Sequence, residues 1–180
     1  GVYFATDSSK SAQEIYTKGS DMLLLCDVLL GKTLTVTTAC NYMNLQNLQK
    51  KGYDSLFAKR ETKGTGGVLY DEFVVYNPAQ ALPKYIVHYS KAGINTPNVR
   101  LVEQALAAGR STQIAKHVLV PKRHIDLNDP LEIHFRIAES QFLRLKTAHN
   151  LKVRSVEYYI NPVLVRQFDQ EHDRMKRKYA

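Results

Sequence analysis

Asp71–Tyr89 reads DEFVVYNPAQALPKYIVHY. An apolar run reaching back to Val68 and ending at Val75, and a second run at Tyr85–Tyr89, predict two strands. Asn77-Pro78 turns the chain between them. Asp71 and Glu72 stand where the first strand begins. Adjacent strand residues face opposite ways, so at most one of these acids can enter any one cleft. A carboxylate at the mouth of a core strand is costly to bury unless it is paired or used. The plainer alternative is two solvated acids at a strand end. Glu157, in VEYYINP, is read as a solvent-facing strand residue.

Working outward, Gly1–Ala5 is a short apolar strand. Thr6-Asp7-Ser8-Ser9 can cap a helix from about Ser9 to Tyr16. Met22–Leu30 is a continuous apolar run ended by Gly31-Lys32 and predicts a strand buried on both faces. Lys32–Thr38 reads as its bent extension, and Asn44–Gly67 as a polar, mobile loop. In the second half, Val99–Ala108 is a candidate helix ended at Gly109, and Pro121 to Pro130 a loop. From Pro130, the residues Leu131, His134, Phe135, Ala138, Phe142 and Leu145 fall at three- and four-residue spacing, one face of a helix. Val153–Ile160 alternates as a strand. Asn161-Pro162 then starts a helix over Val163–Lys178 whose basic end suits its dipole. Short strands with a few helices and no regular alternation predict an α+β fold.

Of 180 residues, 44% are hydrophobic and 23% charged, which excludes wholesale disorder. No apolar run approaches the roughly 20 residues of a membrane span, and no signal peptide is visible at the amino end. The chain opens without methionine in the middle of a strand, so a fragment of something longer is expected. Residues 1–90 hold 9 basic and 8 acidic side chains, whereas residues 91–180 hold 16 and 9. The basic excess of the second half could attract polyanions. Cys26 and Cys40 lack disulfide or metal spacing; Cys26, inside MLLLCDVLL, reads as a buried, inert thiol. The six histidines form no ligand pattern, so no metal is expected. Gly64–Gly67 (GTGG) has no following Lys-Ser or Lys-Thr and reads as a hairpin loop, not a phosphate loop.

Four stretches together resemble the carboxy-terminal portion of the poly(ADP-ribose) polymerase catalytic domain, of the diphtheria-toxin-like ADP-ribosyltransferase family. They are GVYFATDSSKSA at Gly1–Ala12, LLLCDVLLGK at Leu23–Lys32, KGYDSLFAK at Lys51–Lys59 and the stretch Asp71–Tyr89. The resemblance implies the ADP-ribosyltransferase fold, with split mixed or antiparallel sheets and flanking helices, incomplete in this chain. It also implies an enzyme, a pentosyltransferase using NAD+ as substrate and no metal. ADP-ribose would pass to protein acceptors or ADP-ribose chains, with release of nicotinamide. By the same resemblance, Glu72 and Tyr3 are catalytic: Glu72 hydrogen-bonds the ribose and stabilises the cation-like transition state, and Tyr3 stacks on the nicotinamide. Gly1, Tyr3, Lys10, Ser11 and Tyr16 are the expected NAD+ contacts, Ser11 bonding the amide and Lys10 supporting.

Three departures accompany this reading. No histidine here is followed by glycine, so the family's His-Gly motif is missing, and the fragment alone is expected to be inactive. The family's second stacking tyrosine is replaced by Glu14, with Tyr16 two positions on. The stretch from Asp54 to Asp71, which shapes the acceptor site, is short.

VRSVEYYINPVLVRQFDQEHDRMKRKY resembles the opening of the same domain. The expected organisation is therefore 1–90 as the end of one transferase domain, 91–129 as a linker with a candidate helix, and 130–180 as a helix-strand-helix start of a tandem copy. The alternative function is a catalytically inactive module that binds nucleic acid or poly(ADP-ribose) through the basic second half. An intracellular location, nuclear or cytoplasmic, with no membrane partner, is expected.

Overall fold

The computed structural model describes residues 1–37, 42–60, 68–91, 114–122, 124–126, 128–144 and 151–180. The chain divides into two compact units. The first comprises Gly1–Lys10, Asp27–Leu82 and Leu164–Ala180, the second Ser11–Cys26 and Pro83–Val163. Each unit thus draws on both halves of the sequence.

The first unit is organised around Glu72–Val75 (β5), a short β-branched and aromatic segment suited to a pleated surface. It lies between Val2–Ala5 (β1) and Ser55–Ala58 (β4), antiparallel to both; Thr33–Val36 (β3) runs parallel to β4 at the edge. One face of the sheet sends Leu56 and Val74 into a core with Met43 and Leu48, joined by Leu34, Val36, Tyr53 and Tyr76. Leu48 comes from Leu45–Lys50 (α3), which is capped at both ends. Asn44 accepts from the Asn47 amide (2.9 Å), and Gly52, at φ +77°, closes a left-handed end in which Tyr53 N donates to Leu48 O. On the opposite face, the rings of Phe57 and Phe73 stack at 4.8 Å. After β5, Asn77 caps the 3-10 turn Pro78–Gln80, whose buried Gln80 donates to Leu29 O (2.8 Å) and Asp54 O (3.2 Å).

The second unit holds a sheet in the order Met22–Val28 (β2), Ala81–Lys91 (β6), Leu151–Ile160 (β8) and Ala115–Leu119 (β7). β8 pairs antiparallel with β6 (Tyr85 opposite Tyr158) and with β7 (His117 opposite Tyr158). Pro130–Leu143 (α4), capped by Asp129 through the Leu131 amide at 2.9 Å, covers one face. Its Phe135, Ala138 and Phe142 pack on Tyr85, Val87, Tyr89, Leu119, Val153 and Val156. Full burial of Phe135 alone is worth about 2–3 kcal/mol of removed apolar surface. Pro162–Tyr179 (α5) follows β8, its first turn capped by Asn161.

Several local expectations change. The helix predicted from Ser9 to Tyr16 is two single turns, Ser8–Ser11 (α1) and Glu14–Thr17 (α2), with extended backbone at Gln13 between them. The Asp7 carboxylate accepts from the Ser9 amide (2.9 Å), a local side-chain bond that favours a turn over a continuous helix. β2 is buried on one face only: Leu23 and Leu25 pack on the core, while Met22 and Leu24 are 47% and 65% exposed. Lys32–Thr38 does not extend β2. Gly31, at φ +55°, breaks the strand, and β3 joins the other sheet.

The stretch Asn44–Gly67 read as a loop contains α3 and β4, because its asparagine and glycine cap a helix. On α4, the buried face includes Glu132 in place of Leu131; the Glu132 carboxylate is held by Arg136 at 2.8 Å. Residue 145 lies outside the described residues. Cys26 is half-buried, not fully enclosed. β7 forms within the stretch 91–129. The helix expected at 99–108, the GTGG stretch at 64–67 and the cysteine at 40 lie outside the described residues.

Candidate active site

The ladder of β1 on β5 decides which side chains meet. Ala5 lies opposite Glu72 and Tyr3 opposite Val74. In an antiparallel pair, opposite residues share a face and alternate residues repeat it. Tyr3, Ala5, Glu72 and Val74 therefore point to one side of the sheet, with Tyr3 diagonal to Glu72 at a separation of about 7–8 Å between backbones. On the other flank of Glu72, its partner on β4 is Ala58. Glu72 is thus bracketed by two methyl groups, which leaves space around its carboxylate.

Lys10 closes the site. The chain leaves β1, turns at Asp7, whose carboxylate accepts from Ser9 N (2.9 Å) and whose carbonyl accepts from Lys10 N (3.1 Å), and returns in α1. This brings Lys10 Nζ to 2.8 Å from Glu72 Oε1, with side-chain exposures of 17% and 15%. A pair so sheltered from water is worth more than a solvated one, and each partner covers a charge that would be costly alone. Tyr3, in contrast, is 68% exposed and free to meet a flat ligand. At Gly1, a Cβ would lie 2.5 Å from Val74 Cγ1 and 3.0 Å from Tyr76 Cε1, so only glycine passes there without a shift.

Asp71 and Glu72 divide their work as the alternation of a strand requires. The Asp71 carboxylate accepts from the Arg60 amide at 2.7 Å and ties the start of β5 to the end of β4. Neither acid is simply solvated.

Tyr3, Lys10 and Glu72 therefore come together in the first unit, with Gly1 beside them. Ser11 and Tyr16 belong to the second unit. Ser11 ends α1 half-buried, and Tyr16 on α2 is 57% exposed. Glu157 is corrected: instead of facing solvent, it accepts from the Tyr159 hydroxyl (2.6 Å) and pairs with Lys116 (3.0 Å) and His88 (3.3 Å), at 18% exposure. Burial pushes its carboxyl up, but the Tyr159 and Lys116 bonds outweigh that and hold it below the usual glutamate range. Tyr159 is two residues away on the same strand, but His88 and Lys116 come from β6 and β7, far away in sequence, where no local signal could have shown them. Among the described residues, no group of three or more His, Cys, Asp or Glu side chains could hold a metal, and no helix is long and apolar enough to cross a membrane.

Residues 1–65 match the family model described as the poly(ADP-ribose) polymerase catalytic domain. This part of the chain is similar to that domain. Poly [ADP-ribose] polymerase 2 of Zea mays is 34% identical over 113 residues, covering 49% of this chain and 17% of the relative. Poly [ADP-ribose] polymerase 2-A of Oryza sativa subsp. japonica is 33% identical over 115 residues, covering 50% and 17%. Protein mono-ADP-ribosyltransferase PARP4 of Homo sapiens is 35% identical over 97 residues, covering 52% and 6%. The chain spans less than a fifth of the length of these relatives. No solved structure gives a significant match. Among the described residues, the α+β architecture of two four-stranded sheets with flanking helices agrees with the poly(ADP-ribose) polymerase resemblance.

Proposed function

We propose that the first unit carries the nicotinamide end of an NAD+-dependent ADP-ribosyltransferase site, with Glu72 as the catalytic carboxylate. The observation that carries the reading is the sheltered Glu72 carboxylate, held by Lys10 and sharing a sheet face with the exposed ring of Tyr3. In the reaction, the bond between the ribose anomeric carbon and the nicotinamide nitrogen breaks. The bonding electrons leave with nicotinamide, and positive charge develops on the ribose. A fixed carboxylate facing that charge stabilises it without reorganisation. Lys10 keeps the carboxylate in one place while the second Glu72 oxygen remains available to ribose hydroxyls. Tyr3 offers an aromatic face to the planar leaving group. The acceptor nucleophile then bonds to the anomeric carbon from the face opposite the departing ring and releases its proton to water. Protein side chains or ADP-ribose chains are the proposed acceptors.

The test is transfer of label from NAD+ by the full-length protein beside its Glu72→Gln variant. Label that appears with the wild type and is lost in the variant supports the reading; equal label in both overturns it.

A second reading, a transferase-like module that binds nucleic acid or poly(ADP-ribose), rests on the basic excess of residues 91–180 and on Lys176 and Arg177 in the last turn of α5. Absence of transfer together with salt-sensitive binding of a polyanion would favour it.

A further inference from the structure

Asp54, from the KGYD stretch, is 4% exposed and lies in the connection from α3 to β4. Its Oδ1 accepts from Lys178 Nζ at 2.8 Å, and its Oδ2 accepts from the Tyr179 hydroxyl and from Lys32 N at 3.0 Å. Arg174 Nη2 stands 3.8 Å from Oδ1 while its guanidinium grips Glu171. The Asp54 backbone is equally engaged: its N donates to Lys32 O (2.7 Å), and its O accepts from Gln80 Nε2 (3.2 Å). At Gly31, a Cβ would sit 2.5 Å from Asp54 Oδ2, so the neighbouring turn is packed directly on the carboxylate. One residue therefore joins the start of β3, the start of β4, the turn after β5 and the last turn of α5. The next residue, Ser55, pairs with Val75, and Ala58, at the other end of β4, pairs with Glu72. The strand between them is four residues, roughly 13 Å of extended chain.

We propose that Lys178 and Tyr179, through Asp54, clamp β4 and thereby hold β5 and Glu72 in place. All three are positioning residues, and none touches the reacting atoms. The consequence for transfer rests on the reading of Glu72 given above; the clamp itself does not.

Hydrogen exchange on the 180-residue chain separates the two. Tyr179→Phe keeps the ring and removes only the hydroxyl; it and Asp54→Asn should each raise exchange across β4 and β5 by about tenfold, the loss of one hydrogen bond. Exchange in β7 and β8 should be unchanged, and Glu72→Gln should leave β4 and β5 protected. Unchanged protection of β4 and β5 in folded Tyr179→Phe overturns the clamp, as does equal loss in β7 and β8. Should Asp54→Asn fail to fold, the tyrosine variant decides. In the full-length protein, Tyr179→Phe should lower kcat for transfer severalfold with the KM for NAD+ held within about twofold. Transfer that is lost in Glu72→Gln and intact in Tyr179→Phe also overturns the clamp. If the wild type transfers nothing, the reading of Glu72 fails and the exchange experiment alone decides the clamp.

Discussion

Lys10 Nζ and Glu72 Oε1 lie 2.8 Å apart, with less than a fifth of either side chain exposed. Lys10 follows β1 and Glu72 opens β5, so the two strands that pair through their backbones are joined again by charge at one end. Removing the ammonium leaves a sheltered carboxylate with one fewer donor. Lys10→Ala should cost about 1–3 kcal/mol in chemical denaturation, and kcat/KM for transfer should fall by at least tenfold. Lys10→Arg should recover part of both.

Glu72→Gln preserves shape and removes the charge. Stability should change by no more than about 1 kcal/mol, whereas transfer should fall by about 100-fold or more, the usual effect of losing one electrostatic partner of a developing charge. A thermal melt and a labelled-NAD+ assay on the same preparation give both numbers. A variant that transfers at the wild-type rate would contradict the role.

Acid should loosen the first unit through Asp54. Burial pushes this carboxyl up, but bonds from Lys178, Tyr179 and the Lys32 amide outweigh it and hold it below the usual aspartate range. A carboxylate depressed on folding stabilises the protein at pH values above its unfolded titration, near 3.9, and that contribution disappears as pH falls through the lower folded value. Denaturation midpoints measured from pH 6 to pH 2 should therefore decline below about pH 4, and Asp54→Asn should flatten part of the decline. Glu157, depressed in the same direction, should supply a further share that Glu157→Gln removes.

The second unit should depend on Phe135, which is fully buried between α4 and the sheet. Phe135→Ala should cost about 3–5 kcal/mol, read as a shift of the urea midpoint with little change in slope. Exchange protection of β8 should fall with it.

Much of the architecture could be read from local pattern, and the misses share a cause. β1, β6, β8, α4 and α5 were legible because their apolar runs are long or periodic and their caps are adjacent. α3 and β4 were hidden because Asn44 and Gly52 look like loop punctuation until the helix they enclose is seen. The one-sided burial of β2 depends on which face of its sheet meets the core, which no window of sequence contains. At the candidate site, Glu72 and Lys10 were visible through family resemblance, but the bracketing by Ala5 and Ala58 needed the strand register. Glu157 and Asp54 were misread or passed over for the same reason: their partners lie on other strands or at the far end of the chain.

The bond between Asp54 and Lys178 spans 124 positions, and the unit that contains it opens with Gly1 and closes with Ala180. During synthesis, β1, β4 and β5 leave the ribosome well before α5 is made. Until α5 emerges, those strands wait without the bonds to Asp54 that close their unit. On a nascent chain stalled before α5 has emerged, protease should cut β3, β4 and β5 faster than it does in the finished chain.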